Sequence, residues 1–172
     1  MLDGYRVLIV DDSKSMRILL KDIIQRNGIT SNIYEATNGR EAFDAFPEIC
    51  PDIIIMDLFM PQENGLEAIR KIHALDPTIA ILVITSSTDK HDTQEAIMNG
   101  AIDVMKKPFN PHDVGMKVQK ILRDKDKRIA DLYNKTTKLL VKLASDENNP
   151  YSPGGADKTH LEFLKKKIEG KA

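Results

Sequence analysis

Apolar and polar positions change rhythm repeatedly along the first 109 residues. Short β-rich apolar runs occupy Arg6–Val10, Asn32–Ala36, Asp52–Met56, Ile79–Ile84 and Ile102–Met105. Between them, apolar residues fall at helical spacing: Met16, Leu19, Leu20, Ile23 and Ile24; then Ala42, Phe43 and Phe46; then Leu66, Ile69 and Ile72; then Ala96 and Ile97. Asn27-Gly28, Asn38-Gly39, Asn64-Gly65, Asp76-Pro77 and Asn99-Gly100 mark the changes as turns. Strands alternating with helices in this way predict an α/β fold, a parallel sheet with helices on both faces. Ile53–Ile55 and Ile79–Ile84 are almost uninterruptedly apolar, the pattern of central strands covered on both sides.

The pattern then changes character. Asn110 can cap a last helix and Pro111 suits its first turn, but helical composition continues to about Ser145. At 1.5 Å per residue this predicts a rod of roughly 50 Å, longer than a domain of this size needs. Val118, Leu122, Ile129, Leu132, Leu139 and Leu143 fall on a heptad seam, interrupted by Lys125 and Thr136. Asn-Asn-Pro and Ser-Pro-Gly-Gly then predict a flexible linker over 146–156. A short amphipathic helix or tail follows over 157–172, where Thr159 and Glu162 have capping-box spacing.

Composition narrows the function classes. The chain has 172 residues, 41% apolar and 30% charged, an ordinary globular mix. Trp is absent and aromatics are 5%, so a large surface for stacking bases or sugars is not expected. A single cysteine excludes an intramolecular disulfide framework and a Cys-rich zinc site; Cys50, between Ile49 and Pro51, reads as a small buried apolar residue. The run to Val10 is too short for a signal-peptide core, nothing spans a membrane, and a cytoplasmic chain is expected. Net charge is −1 but uneven. Residues 1–109 carry 11 Lys and Arg against 17 Asp and Glu, giving −6; residues 110–172 carry 14 against 9, giving +5. That balance does not point to a nucleic-acid partner.

In an open parallel α/β sheet ligands bind at the carboxyl ends of the strands. Strand one here ends in Asp11-Asp12, strand three in Asp57, strand four in Thr85 and strand five in Lys107-Pro108. Three carboxylates gathered at one rim repel one another and imply a hard cation, for which Mg²⁺ suits. A central carboxylate can act as a nucleophile and form an acyl phosphate. A lysine and a hydroxyl beside it can hold phosphoryl oxygens.

At these residues the sequence resembles the receiver domain of two-component response regulators. The resemblance covers roughly residues 4–124. It rests on Val-Leu-Ile-Val-Asp11-Asp12-Ser, on Ile-Ile-Met-Asp57-Leu-Phe-Met-Pro61 with the following Asn-Gly65-Leu, on Ile-Thr85-Ser86, and on Gly100-Ala101 through Lys107-Pro108-Phe109. It implies a flavodoxin-like, doubly wound five-stranded sheet of order 2-1-3-4-5, here with an extended C-terminal helix. Domains are then expected at 1–124 (receiver), 125–145 (continued helix, a possible coiled coil), 146–156 and 157–172. The resemblance further implies Asp57 as phosphoacceptor, and Mg²⁺ held by Asp11, Asp12, Asp57 and the backbone carbonyl of Phe59. Lys107 would pair with the phosphoryl group and Thr85 would hydrogen-bond it on activation. A Lys107–Pro108 peptide in the cis form is expected. The donor would be a sensor histidine kinase or a histidine phosphotransfer protein, and the chain would catalyse only its own phosphorylation and slow dephosphorylation.

The sequence departs from the family pattern in two respects. Val104 stands where a Tyr or Phe usually does, three residues before the lysine, so a ring-flip signal there is not expected. Phe59 and Ser87 occupy the positions that tune self-dephosphorylation, and a bulky apolar Phe59 should hinder the attacking water. His73, His91, His112 and His160 are scattered and read as ordinary surface or helix-face residues, and no Walker sequence is present.

The 48 residues beyond 124 are too few for the usual fused DNA-binding domain. The expected output is therefore an unidentified downstream protein, or a homodimer through the helix around 115–145; a chemotaxis role is attractive by family analogy alone. The competing readings are a phosphorylation-independent receiver-like binding or dimerisation module and a haloacid dehalogenase-type phosphatase. The latter needs a second acid two residues after its nucleophile, whereas Asp11 is followed by Asp12 and Ser13.

Overall fold

The alternation of extended and helical segments is realised in full. The structure, a computed structural model, describes residues 4–61 and 64–144. In chain order the elements are β1 (Val7–Val10), α1 (Lys14–Arg26), β2 (Ile33–Ala36), α2 (Gly39–Ile49), β3 (Ile53–Met56), α3 (Gly65–Leu75), β4 (Ala80–Thr85), α4 (Lys90–Met98), β5 (Asp103–Lys106) and α5 (Pro111–Ala144). The five strands are all parallel and lie in the order β2-β1-β3-β4-β5, as expected.

The helices begin where small polar residues can take a backbone N–H. Ser13 accepts from Met16, Asn38 from Glu41 (2.8 Å), Asn64 from Leu66 (3.0 Å) and Asp89 from His91 (2.8 Å). Each satisfies one of the donors that a helix start leaves without an intrahelical partner. Asn110 does the same for α5, its Oδ1 accepting from His112 N–H at 3.0 Å.

Strand alternation splits the core in two. Val7, Ile9, Ile53, Ile55, Ala80, Leu82 and Ile84 face α1 and the start of α5, packing on Leu20, Ile24, Val118 and Leu122. Leu8, Val10, Ile54, Met56, Ile81 and Val83 face α2, α3 and α4. The central strands β1, β3 and β4 are buried at every position, while β2 and β5, at the edges, are partly open. Each fully buried Ile contributes roughly 2 kcal/mol, so Ile53–Ile55 together outweigh any single surface ion pair.

Cys50 corrects the expectation of a buried apolar residue. It is exposed, ends α2 in the left-handed conformation (φ 45°), and its thiol donates to the Pro47 carbonyl at 3.1 Å. The left-handed turn swings its side chain away from the apolar face that the flanking Ile49 keeps.

The chain divides into two units, Met1–Leu122 and Arg123–Ala172. The boundary falls inside α5, which runs unbroken for 34 residues. Val114, Val118, Ile121 and Leu122 belong to the first unit's core. The expected seam is therefore shortened, because Val118 and Leu122 are already covered by the sheet. In the second unit Ile129, Leu132 and Leu139 are well exposed, together with Tyr133 and Leu140, which the seam did not include. The side chain of the remaining seam residue, Leu143, lies outside what the structure describes, as do the expected linker and closing helix over 146–172.

Gly65 shows how tightly the rim is built. A Cβ there would sit inside the Asp57 carbonyl and against Leu58 Cα, both backbone, so nothing can yield. Gly65→Ala is expected to destabilise the fold by about 1–3 kcal/mol despite the better helix propensity of Ala, read as a lower urea midpoint.

Candidate functional site

Parallel pairing carries the rim residues into place. Val10 O accepts the Asp57 N–H at 2.9 Å, and Thr85 O accepts the Lys107 N–H at 2.8 Å, so the ladder continues one step past the strand ends. Asp11, Asp57, Thr85 and Lys107 therefore come together at the carboxyl edge of the sheet, from segments up to 96 residues apart in the chain.

Lys107 is the centre of the arrangement. Its Nζ donates to Asp11 Oδ2 at 2.7 Å and to Asp57 Oδ2 at 2.5 Å, with both carboxylates buried. The other oxygens are also used: Asp11 Oδ1 accepts from Ser13 N–H (2.9 Å), and Asp57 Oδ1 from Phe59 N–H (3.3 Å). Burial by itself would lower the Lys107 pKa, but the hydrogen bonds and charges of Asp11 and Asp57 outweigh it and hold the ammonium above its ordinary range. The Lys107–Pro108 peptide is cis, and Lys106 points to the exposed side.

Carboxylate oxygens of Asp11, Asp12 and Asp57 lie within 4.8 Å of one another. Asp12 is exposed, and among the described residues its carboxylate takes no hydrogen bond or ion pair. Three carboxylates against one ammonium leave a net −2, and an all-oxygen donor set with one open member fits a hard divalent cation. The described residues hold one other such grouping, His91, Asp92 and Glu95 on α4. Asp92 there is already taken by Ser87 (2.5 Å) and His91 faces Glu95 at 3.8 Å, so this group is an exposed polar turn.

Thr85 is fully buried, and its Oγ1 accepts the Ser87 N–H at 3.2 Å. The Ser87 hydroxyl is turned toward α4, donating to Asp92 and accepting from Asp89 N–H (3.1 Å). Val104 packs partly buried against the α3–α4 side of the core, with no ring at that position. Phe59 is 49% exposed.

Sequence reasoning missed Arg17. Its guanidinium donates from Nη1 to the carbonyls of Asp11 (2.8 Å) and Asp12 (3.3 Å), and from Nε to Glu35 Oε2 (3.1 Å). The available signal was a helix whose first turn carries no acid and is basic instead, contrary to the usual preference at a helix start.

With this geometry described, comparison with known proteins identifies the class: the chain belongs to the response regulator receiver domain family, whose model matches residues 7–119. Among individual relatives it is 45% identical to the chemotaxis protein CheY of Thermotoga maritima over 118 residues, 69% of this chain and 98% of that one. It is 35% identical to CheY of Bacillus subtilis over 119 residues, again 69% and 98% of the two chains. A protein-glutamate methylesterase/protein-glutamine glutaminase of Methanosarcina mazei is 38% identical over 125 residues, 72% of this chain but only 35% of that protein. The crystal structure of the response regulator domain of Thermotoga maritima CheB superposes with a TM-score of 0.61 at 35% identity, covering 70% of this chain and 94% of that one.

Because the ammonium of Lys107 is held above its ordinary pKa, its contribution to stability is complete below the unfolded value of about 10.4 and fades as pH rises through the higher folded value. The difference in urea midpoint between the chain and Lys107→Met is expected to be flat across neutral pH and to narrow only above about pH 10.4.

Proposed function

We propose that the chain is a response regulator in which Asp57 accepts a phosphoryl group from a sensor histidine kinase or a histidine phosphotransfer protein. The observation that carries this reading is the Lys107 ammonium bridging Asp11 and Asp57 beside the open Asp12 carboxylate. Asp11, Asp12 and Asp57, with the Phe59 carbonyl, would hold Mg²⁺, which supplies charge neutralisation to the phosphoryl oxygens. An Asp57 carboxylate oxygen attacks phosphorus in line; the new P–O bond forms as the donor's P–N bond breaks, and the freed imidazole takes a proton from solvent. Lys107 gives up part of its hold on Asp57 to pair with the arriving phosphoryl oxygens. Thr85 turns its hydroxyl from Ser87 N–H toward the same group. These shifts bias two arrangements of the β4–α4 turn and β5, and so act on α5.

The high identity to two CheY proteins, over nearly their whole lengths, favours a chemotaxis-type regulator working in the cytoplasm. Among the described residues no helix is long and apolar enough to cross a membrane. The methylesterase relatives match over only about a third of their own length, the part shared being the receiver-type segment.

Incubation with a small-molecule phosphodonor and Mg²⁺ is expected to add one phosphoryl mass, with no gain when Mg²⁺ is withheld or Asp57 is replaced by Asn. In the same assay Phe59→Asn is expected to lose the phosphoryl faster than the parent, because the apolar ring no longer obstructs the attacking water. An Asp57→Asn protein that gains the same mass would overturn the reading.

The output surface is the heptad face beyond Leu122, where Ile129, Leu132 and Leu139 stand exposed and pair with their counterparts in a second copy. Sedimentation equilibrium is expected to give a dimer for the parent and a monomer for Leu132→Asp, with phosphorylation shifting the parent's dissociation constant. Unchanged association in Leu132→Asp would leave partner binding as the output.

A further inference from the structure

We infer that Arg17 is the positioning residue of the metal site: it fixes the backbone from which the Asp11 and Asp12 carboxylates project. The inference rests on the reading of the acidic rim as a Mg²⁺ site. It is motivated by a placement that electrostatics alone disfavours. Arg17 is a cation in the first turns of α1, where the helix end prefers anions, and it lies beside a group of residues meant to attract a cation. Specific contacts have to offset that cost.

The hydrogen bonds identify what does. One guanidinium nitrogen, Nη1, serves the carbonyls of both Asp11 and Asp12, at 2.8 and 3.3 Å. Nε is tied to Glu35 on β2 at 3.1 Å, and Lys21 holds the second Glu35 oxygen at 3.2 Å. The side chain is only 12% exposed. Glu35 is itself well anchored: burial would raise its pKa, but the hydrogen bonds from Arg17 and Lys21 outweigh this and keep it ionised. The fork thus clamps the β1–α1 turn between α1 and β2. A guanidinium spreads its donors over a rigid planar fork, so Nη1 can serve the two carbonyls while Nε holds Glu35; the three donors of an ammonium sit on one atom and cannot span both sides.

Asp12 makes the clamp necessary. Asp11 has Ser13 N–H and Lys107 to orient it, and Asp57 has Phe59 N–H and Lys107. The Asp12 carboxylate has no such partner among the described residues, so the fold positions it only through the backbone from which it projects, and Arg17 holds the carbonyl of that residue. Groups that orient metal ligands from behind typically govern affinity by about 10- to 100-fold when removed.

Two accounts of Arg17 predict opposite signs. If it acted only through its charge, Arg17→Ala would remove a repelling cation and tighten Mg²⁺, and Arg17→Lys would change nothing. As a positioning residue, both substitutions weaken Mg²⁺, by about tenfold for Ala, with Lys failing to restore the parent value. The test is calorimetric titration of MgCl₂ into the full chain without phosphodonor, for the parent, Arg17→Ala, Arg17→Lys and the surface control Arg26→Ala. Thermal melts of each metal-free protein accompany it. Expected are weaker Mg²⁺ binding in both Arg17 variants and parent-like binding in Arg26→Ala. Equal or tighter Mg²⁺ in the Arg17 variants, with the parent binding normally, overturns the positioning role and leaves the proposed function standing. A parent that binds no Mg²⁺ overturns both. If Arg17→Ala does not give a folded melt, Arg17→Lys decides alone, since charge-only action leaves it at the parent affinity.

Discussion

Everything at the carboxyl edge of the sheet depends on one electrostatic constraint: buried carboxylates have to be brought together without driving the loops apart. Lys107 meets it from the far edge of the fold. Its ammonium lies within hydrogen-bond distance of Asp11 and Asp57, and both partners are nearly inaccessible to water. Removing one member of a buried set of this kind is costly because the others remain desolvated and unpaired. The same constraint leaves the rim unfinished. One ammonium does not neutralise three carboxylates, and the uncompensated charge resides at Asp12, the one open to solvent. Balance is sufficient for folding and insufficient for neutrality, which is the condition under which a site can hold a cation and then a phosphoryl group.

The fold serves this arrangement by stiffness. Strands buried on both faces fix where each rim residue begins, and the ladder bonds of Asp57 and Lys107 extend that register past the strand ends. Gly65 lets the start of α3 close against the Asp57 carbonyl, so the loop after β3 has little freedom to relax. Movement is left to groups held by a single replaceable bond. Thr85 is one, its hydroxyl engaged among the described residues by Ser87 N–H alone, in the turn that leads to α4. Val104 brings no ring to this side of the core, and the Ser87 hydroxyl ties that turn to Asp92 of α4.

α5 joins two roles in one helix. Up to Leu122 its apolar residues complete the core beneath α1 and the sheet, and beyond Arg123 Ile129, Leu132, Tyr133, Leu139 and Leu140 are exposed, whereas Val141 is buried. The broad exposed stripe, with Tyr133 and Leu140 beside the heptad positions, is wider than a strict two-stranded seam requires.

Much of this was legible in the amino-acid sequence, for identifiable reasons. Strand and helix periods are local, and alternation over five units admits few topologies; the acidic and basic strand ends then follow from where each apolar run stops. What remained hidden depends on contacts between distant segments. Periodicity showed Val118 and Leu122 on one face with Ile129 and Leu132, but not that the sheet covers the first pair and leaves the second exposed. Cys50 looked buried because its neighbours are apolar, whereas a left-handed helix end turns it outward. Arg17 and Glu35 are 18 residues apart, and nothing local indicates that a guanidinium on α1 reaches the carbonyls of Asp11 and Asp12. The sequence by itself determined the elements, their order and the chemical types at the rim, because these follow from short-range pattern. Only the tertiary structure decided which charges meet, which carboxylate stays open and which apolar face is left uncovered, because those are set by packing across the sheet.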